Sequence, residues 1–336
     1  MHQLKQLINL RKILIIIIGT IIIVTGLNKI SIVYPSSHET YNKYIDEGIK
    51  LLSTNEYTAI AIGSSIGFSL NFDDLNIKGL NFSYASRDLL EDAYLLKLLV
   101  EQSNSIKYIF WSVGGANSMM TNNAWYAPFV RREFYRAVNK YETSLLEPIA
   151  NDWSNYIQGN FFPLIRKDYW KEPIKKIFKP SKTYEQKDLF KALKIVSKDS
   201  LLSRNSNTLT QEYNIQKNNM KQFENSQYYY HNTPQLIMEE VIKMCKFVAS
   251  KNKQLIFITP PFTKSYLELS NTLNIKGKEY WQKVVKECKE NKTIVLDWSK
   301  DDNYKNNYKY FYDYIHLNQE GNKIFMKDLY KTLQRL

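Results

Sequence analysis

The chain is poor in the residues that build metal centres and disulfide frameworks. Its 336 residues include two cysteines, Cys245 and Cys288, and four histidines. Two cysteines make neither a disulfide scaffold nor a zinc cluster, and their spacing leaves open whether they pair with each other. No group of His, Asp and Glu has metal-ligand spacing, and no Gly-x-x-x-x-Gly-Lys-Ser/Thr loop occurs, so no metal or other cofactor is expected. Internal repeats are absent. Only one long apolar run exists, which excludes a multispan membrane protein. The remainder is ordinary globular material, 44% hydrophobic and 24% charged. Its length suits one large domain or two small ones with a sizeable core.

Acid is also scarce relative to base. With 46 Lys+Arg against 33 Asp+Glu, the formal net charge is +13. Such an excess suggests an anionic partner: nucleic acid, a membrane surface or an acidic polymer. Its distribution narrows the choice. Lys5, Arg11, Lys12 and Lys29 lie in the first 34 residues, which hold no acid, and they flank an isoleucine-rich stretch at 13–27. That stretch is short against the roughly 20 residues of a membrane span. Residues 30–34 extend it, with Lys29 snorkelling and Tyr34 at the interface. We read 1–12 as a basic cytoplasmic flank, 13–34 as a transmembrane signal anchor and 35–55 as a juxtamembrane helical stalk. The domain at 56–336 is then extracytoplasmic, at a cell surface or in a periplasm, which argues against nucleic acid as a partner. A cleaved signal peptide would export the same domain, but Thr25-Gly26-Leu27-Asn28 is a poor cleavage site.

Past the stalk, apolar runs of strand length alternate with helical periodicity. Strands are expected at 57–62, 80–84, 106–113, 254–259 and 293–298, and helices at 89–101, 234–250, 280–290 and 319–333. This alternation predicts a three-layer α/β/α fold with a mostly parallel sheet, whose sites form at the carboxyl ends of strands. Gly63-Ser64-Ser65, Gly115-Ala116-Asn117 and Pro260-Pro261 fall at such ends. The segment 119–230 interrupts the pattern. It holds 18 basic and 11 acidic residues with interleaved aromatics, and reads as a largely helical insertion. Its basic side is either a solvated face over a small core of its own or a surface for an anionic glycan, lipid headgroup or membrane partner. The Asn-rich stretch 204–219 reads as a loop.

Of the four histidines, His316 has chemistry beside it. Asp313 stands three residues earlier, a spacing that lets a carboxylate hold the imidazole N–H and stabilise the imidazolium formed on proton transfer. Ser65 follows the first strand on a turn that Gly63 permits. Asn117 follows the third strand and offers an amide donor to an oxyanion. Each element alone is commonplace. Arg87, next to Asp88, reads as a surface pair.

Together these blocks resemble the SGNH/GDSL hydrolase superfamily. Gly63-Ser64-Ser65 matches the family's Gly-Asp-Ser, with Ser64 in place of Asp. Gly115-Ala116-Asn117 matches Gly-x-Asn, and Asp313-Tyr314-Ile315-His316 followed by a helix with Gly321 matches the last block. Asn81-Phe82-Ser83 stands where the family has Asn-x-Gly. The resemblance implies Ser65, His316 and Asp313 as a catalytic triad and Asn117 and Ser83 as oxyanion donors. An anchor combined with Gly-Ser-Ser is similar to an envelope branch of proteins that work beside membrane-bound O-acyltransferases. It implies a serine-dependent O-acyltransferase, of O-acetyl type, acting on an extracytoplasmic polysaccharide, with the acyl donor delivered by such a membrane partner. A carbohydrate esterase or deacetylase of the same fold, and a non-catalytic polysaccharide-binding or scaffold protein, are the alternatives.

Overall fold

The computed structural model describes residues 12, 14–15, 18–20, 40–85, 87–120, 128–141, 149, 152–160, 233–273, 275–313 and 315–336. Among these no helix is long and apolar enough to cross a membrane. Most of the expected span at 13–34, the bulk of the insertion, the Asn-rich stretch and the loop around His231 lie outside the described residues.

Five strands form one sheet: β1 (Ala59–Gly63), β2 (Gly79–Asn81), β3 (Tyr108–Ser112), β4 (Gln254–Thr259) and β5 (Ile294–Asp297). Their order across the sheet is β2-β1-β3-β4-β5, and every pairing is parallel. Strands buried on both faces need no polar alternation, and β1 reads Ala-Ile-Ala-Ile-Gly with all five residues buried. Period-two geometry sends its side chains to opposite cores. Ile60 and Ile62 join one core with Ile109, Trp111, Leu255 and Phe257. Ala59 and Ala61 join the other with Phe110, Ile256 and Ile258.

Helices cover both faces. The first core receives α1 (Thr40–Leu52), α2 (Leu89–Gln102), α3 (Pro128–Val138), α5 (Thr233–Ser250) and α7 (Ile275–Glu290). Between these in sequence lie α4 (Trp153–Asn160) and α6 (Lys264–Leu273). The second core is closed by the last helix, α8 (Gln319–Leu333), through Phe325, Met326 and Leu329, and by the loop carrying Leu70, Phe72 and Leu75. The three-layer, parallel-sheet expectation therefore holds. Within the segment read as an insertion, α3 and α4 are helical.

The stalk reading needs correction. Helix α1 forms where a helix was expected, but Tyr44, Ile45, Ile49 and Leu52 are buried. Spacing of one, four and three places these residues on one stripe, which packs into the first core as any amphipathic surface helix does. Thr40–Leu52 is part of the domain.

Cys245 on α5 and Cys288 on α7 are joined by a disulfide, with Cα atoms 5.4 Å apart. Both are buried, and the bond ties together the two helices that precede and follow β4. Closing a loop with a sequence separation of 43 restricts the unfolded chain by about 4 kcal/mol on the chain-entropy account. Replacing both cysteines with alanine is expected to lower the thermal midpoint by roughly 5–15 °C. Unfolding curves of wild type with and without reductant check this; curves that coincide would rule the bond out as a stabilising element.

Candidate active site

The site begins where β1 ends. Gly63 has φ +143°, a backbone that L side chains rarely adopt, and a Cβ there would stand 2.7 Å from the Ser112 carbonyl oxygen. Only glycine fits this exit, and it turns the chain into a 3-10 helix, Ser65–Ser69. Ser64 precedes that helix as its N-cap residue but makes no side-chain capping bond. The Ser65 N–H opens the helix, where backbone donors lack intrahelical partners.

His316 arrives from the opposite end of the chain. Its Nε2 lies 2.8 Å from Ser65 Oγ, across 251 residues of sequence. Its Nδ1 lies 2.6 Å from Asp313 Oδ2. Asp313 Oδ1 accepts the backbone N–H groups of Ile315 at 2.8 Å and His316 at 2.7 Å. The carboxylate therefore shapes the turn with one oxygen and orients the imidazole with the other. Burial alone would raise the Asp313 pKa; the hydrogen bond and charge of His316 and the two backbone donors outweigh it and hold the carboxyl below its ordinary value.

The turn that carries His316 is pinned on both sides. Tyr312 N–H donates to the His316 carbonyl at 2.7 Å, and Phe311 and Leu317 form an antiparallel bridge. Asn318, the N-cap of α8, accepts the Gly321 N–H at 3.0 Å and donates Nδ2 to the Lys309 carbonyl at 2.5 Å. A Cβ on Gly321 would stand 2.2 Å from the Tyr310 carbonyl oxygen, so glycine lets α8 abut the preceding loop. The resemblance pointed to Gly321, whereas Asn318 went unnoticed; a polar residue before an apolar-periodic helix is its available signal.

The second block sits beneath the Ser65 turn. Asn81 Nδ2 donates to the carbonyls of Gly67 at 2.8 Å and Leu70 at 2.9 Å, both in or just after the 3-10 helix. Asn81 Oδ1 accepts the Ser83 N–H at 2.9 Å. Asn81 thus ties β2 to the turn holding Ser65, a role the sequence reading did not assign. Ser83 is buried, with its N–H already donated to Asn81 and its Oγ without a hydrogen-bond partner. A Cβ on Gly67 would strike that Oγ at 2.1 Å, so the turn and Ser83 are in close packing. Asn117 lies in the 3-10 helix Gly115–Met120 that follows β3; its side chain is outside the described set.

Arg87 is not a surface residue. It is 3% exposed, hydrogen-bonded through Nε to Asp92, and its Nη2 donates to the Gly63 carbonyl at 3.2 Å. That carbonyl also accepts the Tyr84 N–H at 2.9 Å. Asp92 Oδ2 accepts the Trp111 Nε1–H at 3.1 Å. Asp88, the expected partner, instead caps α2 by accepting from Leu90 and Glu91. It also receives Arg131 Nη2 at 2.7 Å. Adjacent charges in sequence suggested a solvated pair; the helix start turns the two side chains to different partners.

A cavity of about 940 Å³ opens beside Ser65 and His316. Its walls run from the carboxyl end of β1 back along the edge strand β2 to Tyr57 and Leu51. Serine, imidazole and carboxylate in hydrogen-bonded series, open to such a cleft, have the geometry for proton transfer from a serine hydroxyl. No protein-family model and no curated protein matches the sequence.

The depressed Asp313 pKa carries a sign. A carboxyl whose folded pKa lies below its unfolded value stabilises the fold above about pH 4, and that contribution fades as pH falls through the folded value. Asp313→Asn should therefore cost stability at neutral pH, with the gap to the wild type closing as pH falls below about 4. Denaturant titrations of both proteins from pH 2 to 7 test it; parallel curves would contradict it.

Proposed function

We propose that this protein is a membrane-anchored, serine-dependent O-acyltransferase of SGNH-hydrolase type that acylates an extracytoplasmic polysaccharide. The single observation that carries the reading is the hydrogen-bonded series Ser65–His316–Asp313, at 2.8 and 2.6 Å. A scaffold that had lost catalysis has no need to keep these three side chains aligned. The disulfide suits an oxidising, exported compartment, in line with the anchor read at 13–34.

In the proposed mechanism His316 Nε2 takes the Ser65 hydroxyl proton as Oγ bonds to the acyl carbonyl carbon. The carbonyl electron pair moves onto oxygen, and Asp313 stabilises the imidazolium. The intermediate collapses, the donor's oxygen leaves with the proton from His316, and an acyl-serine remains. A sugar hydroxyl then gives its proton to His316 and attacks the acyl carbon. Its collapse returns the proton to Ser65 and releases the new ester. Water in place of the sugar gives esterase chemistry with the same residues.

The oxyanion needs N–H donors near 3 Å. The Ser65 N–H at the helix start and the Asn117 amide fill this role. The Ser83 N–H joins them only by releasing Asn81 Oδ1. A membrane-bound O-acyltransferase supplying the donor fits a domain tethered at the bilayer.

A fluorophosphonate probe is expected to label the wild type and fail to label Ser65→Ala; labelling that survives removes Ser65 from the mechanism. With an acetyl-ester donor, Asp313→Asn should lower turnover by about 10⁴-fold and Asn117→Ala by about 10²–10³-fold. An oligosaccharide acceptor added to the same assay separates the chemistries. Acetylated sugar supports transfer, and free acetate alone supports the esterase.

A further inference from the structure

The described wall of the cleft beside Ser65 carries more acid than base, against the sign of the chain. Among its described lining residues, Glu47, Asp73 and Asp74 carry carboxylates, and Lys323 is the one Lys or Arg. In a protein of formal charge +13, this is a local reversal of sign. Potential in a cleft follows the charges lining it more than the net charge, because low-dielectric walls focus the field.

The carboxylates are placed for acceptance. Glu47 stands on the groove-facing side of α1, one turn from Tyr44, whose hydroxyl bonds the Asn81 carbonyl. Its Oε2 is sealed from solvent and has no hydrogen-bond partner. Closed off in this way, it adds negative potential to the wall rather than a direct contact. Asp74 is exposed at the rim, where Asn71 Nδ2 steadies it at 3.0 Å. Ionised carboxylates offer acceptors only, whereas side-chain amides such as Asn71 and Asn322 in the same wall offer both.

Phe68 supplies an apolar face. It lies three residues after Ser65, lines the cleft and is 44% exposed. Sugar hydroxyls are donors as well as acceptors, and the C–H face of a sugar ring stacks on aromatic rings. The cleft also extends past the catalytic pair along β2, with volume for more than one sugar residue.

The geometry points to an uncharged, hydroxyl-rich glycan chain as the acceptor held in this cleft, and to Glu47, Asp73 and Asp74 as the residues that turn away polyanions. Carboxylate- or phosphate-bearing polymers meet like charge there, which suppresses wrong partners. The inference deepens the acyltransferase reading and rests on it for the site's identity, but its test needs no turnover.

Full-length protein in detergent is titrated with xylohexaose and, separately, hexagalacturonate at low ionic strength. Occupancy is read as hydrogen-exchange protection of residues 66–82, so binding elsewhere is not counted. The neutral glycan is expected to bind at least tenfold more tightly, with the gap narrowing at 0.5 M salt as charge is screened. Asp73→Lys/Asp74→Lys is expected to raise hexagalacturonate affinity about tenfold, and Glu47→Gln to raise it by a smaller factor. Equal or tighter binding of hexagalacturonate by the wild type overturns the proposal, as does an absence of protection by either glycan. Failure of fluorophosphonate labelling with neutral-glycan protection intact would instead count against the acyltransferase reading alone.

Discussion

The way β1 leaves the sheet governs the rest of the site. At Gly63 the chain takes a backbone angle that a side chain would forbid, against the Ser112 carbonyl of the neighbouring strand. The Gly63 carbonyl is then fixed by two donors, Tyr84 N–H and Arg87 Nη2. Two residues later Ser65 emerges at the cleft. Arg87 is itself held by Asp92, and Asp92 by the indole of Trp111. A buried charge that loses its partner costs about 3–5 kcal/mol, so this chain of contacts resists rearrangement. The Ser65 turn is therefore supported from below by Arg87, by Asp92 on α2 and by the Trp111 indole on β3, and from the side by Asn81.

Much of the fold was legible in the sequence because a parallel sheet writes itself in continuous apolar runs. The strand at 254–259 and the helix at 319–333 match the expected bounds to the residue. The site was legible where the chemistry is short-range: Asp313 and His316 are three residues apart, and their pairing follows from a turn. Arg87 was misread because burial of a charge depends on partners far away, and Asp92 and Trp111 carry no local mark of that role. Asn81 was overlooked because its amide acts on backbone carbonyls at 67 and 70, a contact that exists only once β2 lies beside β1. The α1 helix was placed correctly but taken for a stalk, since an apolar stripe does not say which core it joins. The cysteine pairing was likewise undecidable until α5 and α7 stood side by side.

Electrostatics in this protein is a matter of place rather than sum. The chain total is strongly positive, the buried group of Arg87, Asp88, Glu91, Asp92 and Arg131 has one more acid than base, and the described cleft wall holds three carboxylates against one lysine. Fully buried ions act over a few ångströms through hydrogen bonds, whereas exposed ones are screened within about 10 Å at ordinary ionic strength. Each region thus answers to its own neighbours.

The sequence separation of 251 between Ser65 and His316 sets an order of events during folding. The serine turn belongs to an early strand, while the imidazole is delivered by the loop that α8 locks down. Contacts of such sequence separation form late, after the entropy of closing the intervening chain has been met. A half-emerged chain carries an ordinary serine hydroxyl with no base beside it. Ser65, His316 and Asp313 come into series only when the final layer of the fold docks, so their arrangement is a property of the complete domain alone.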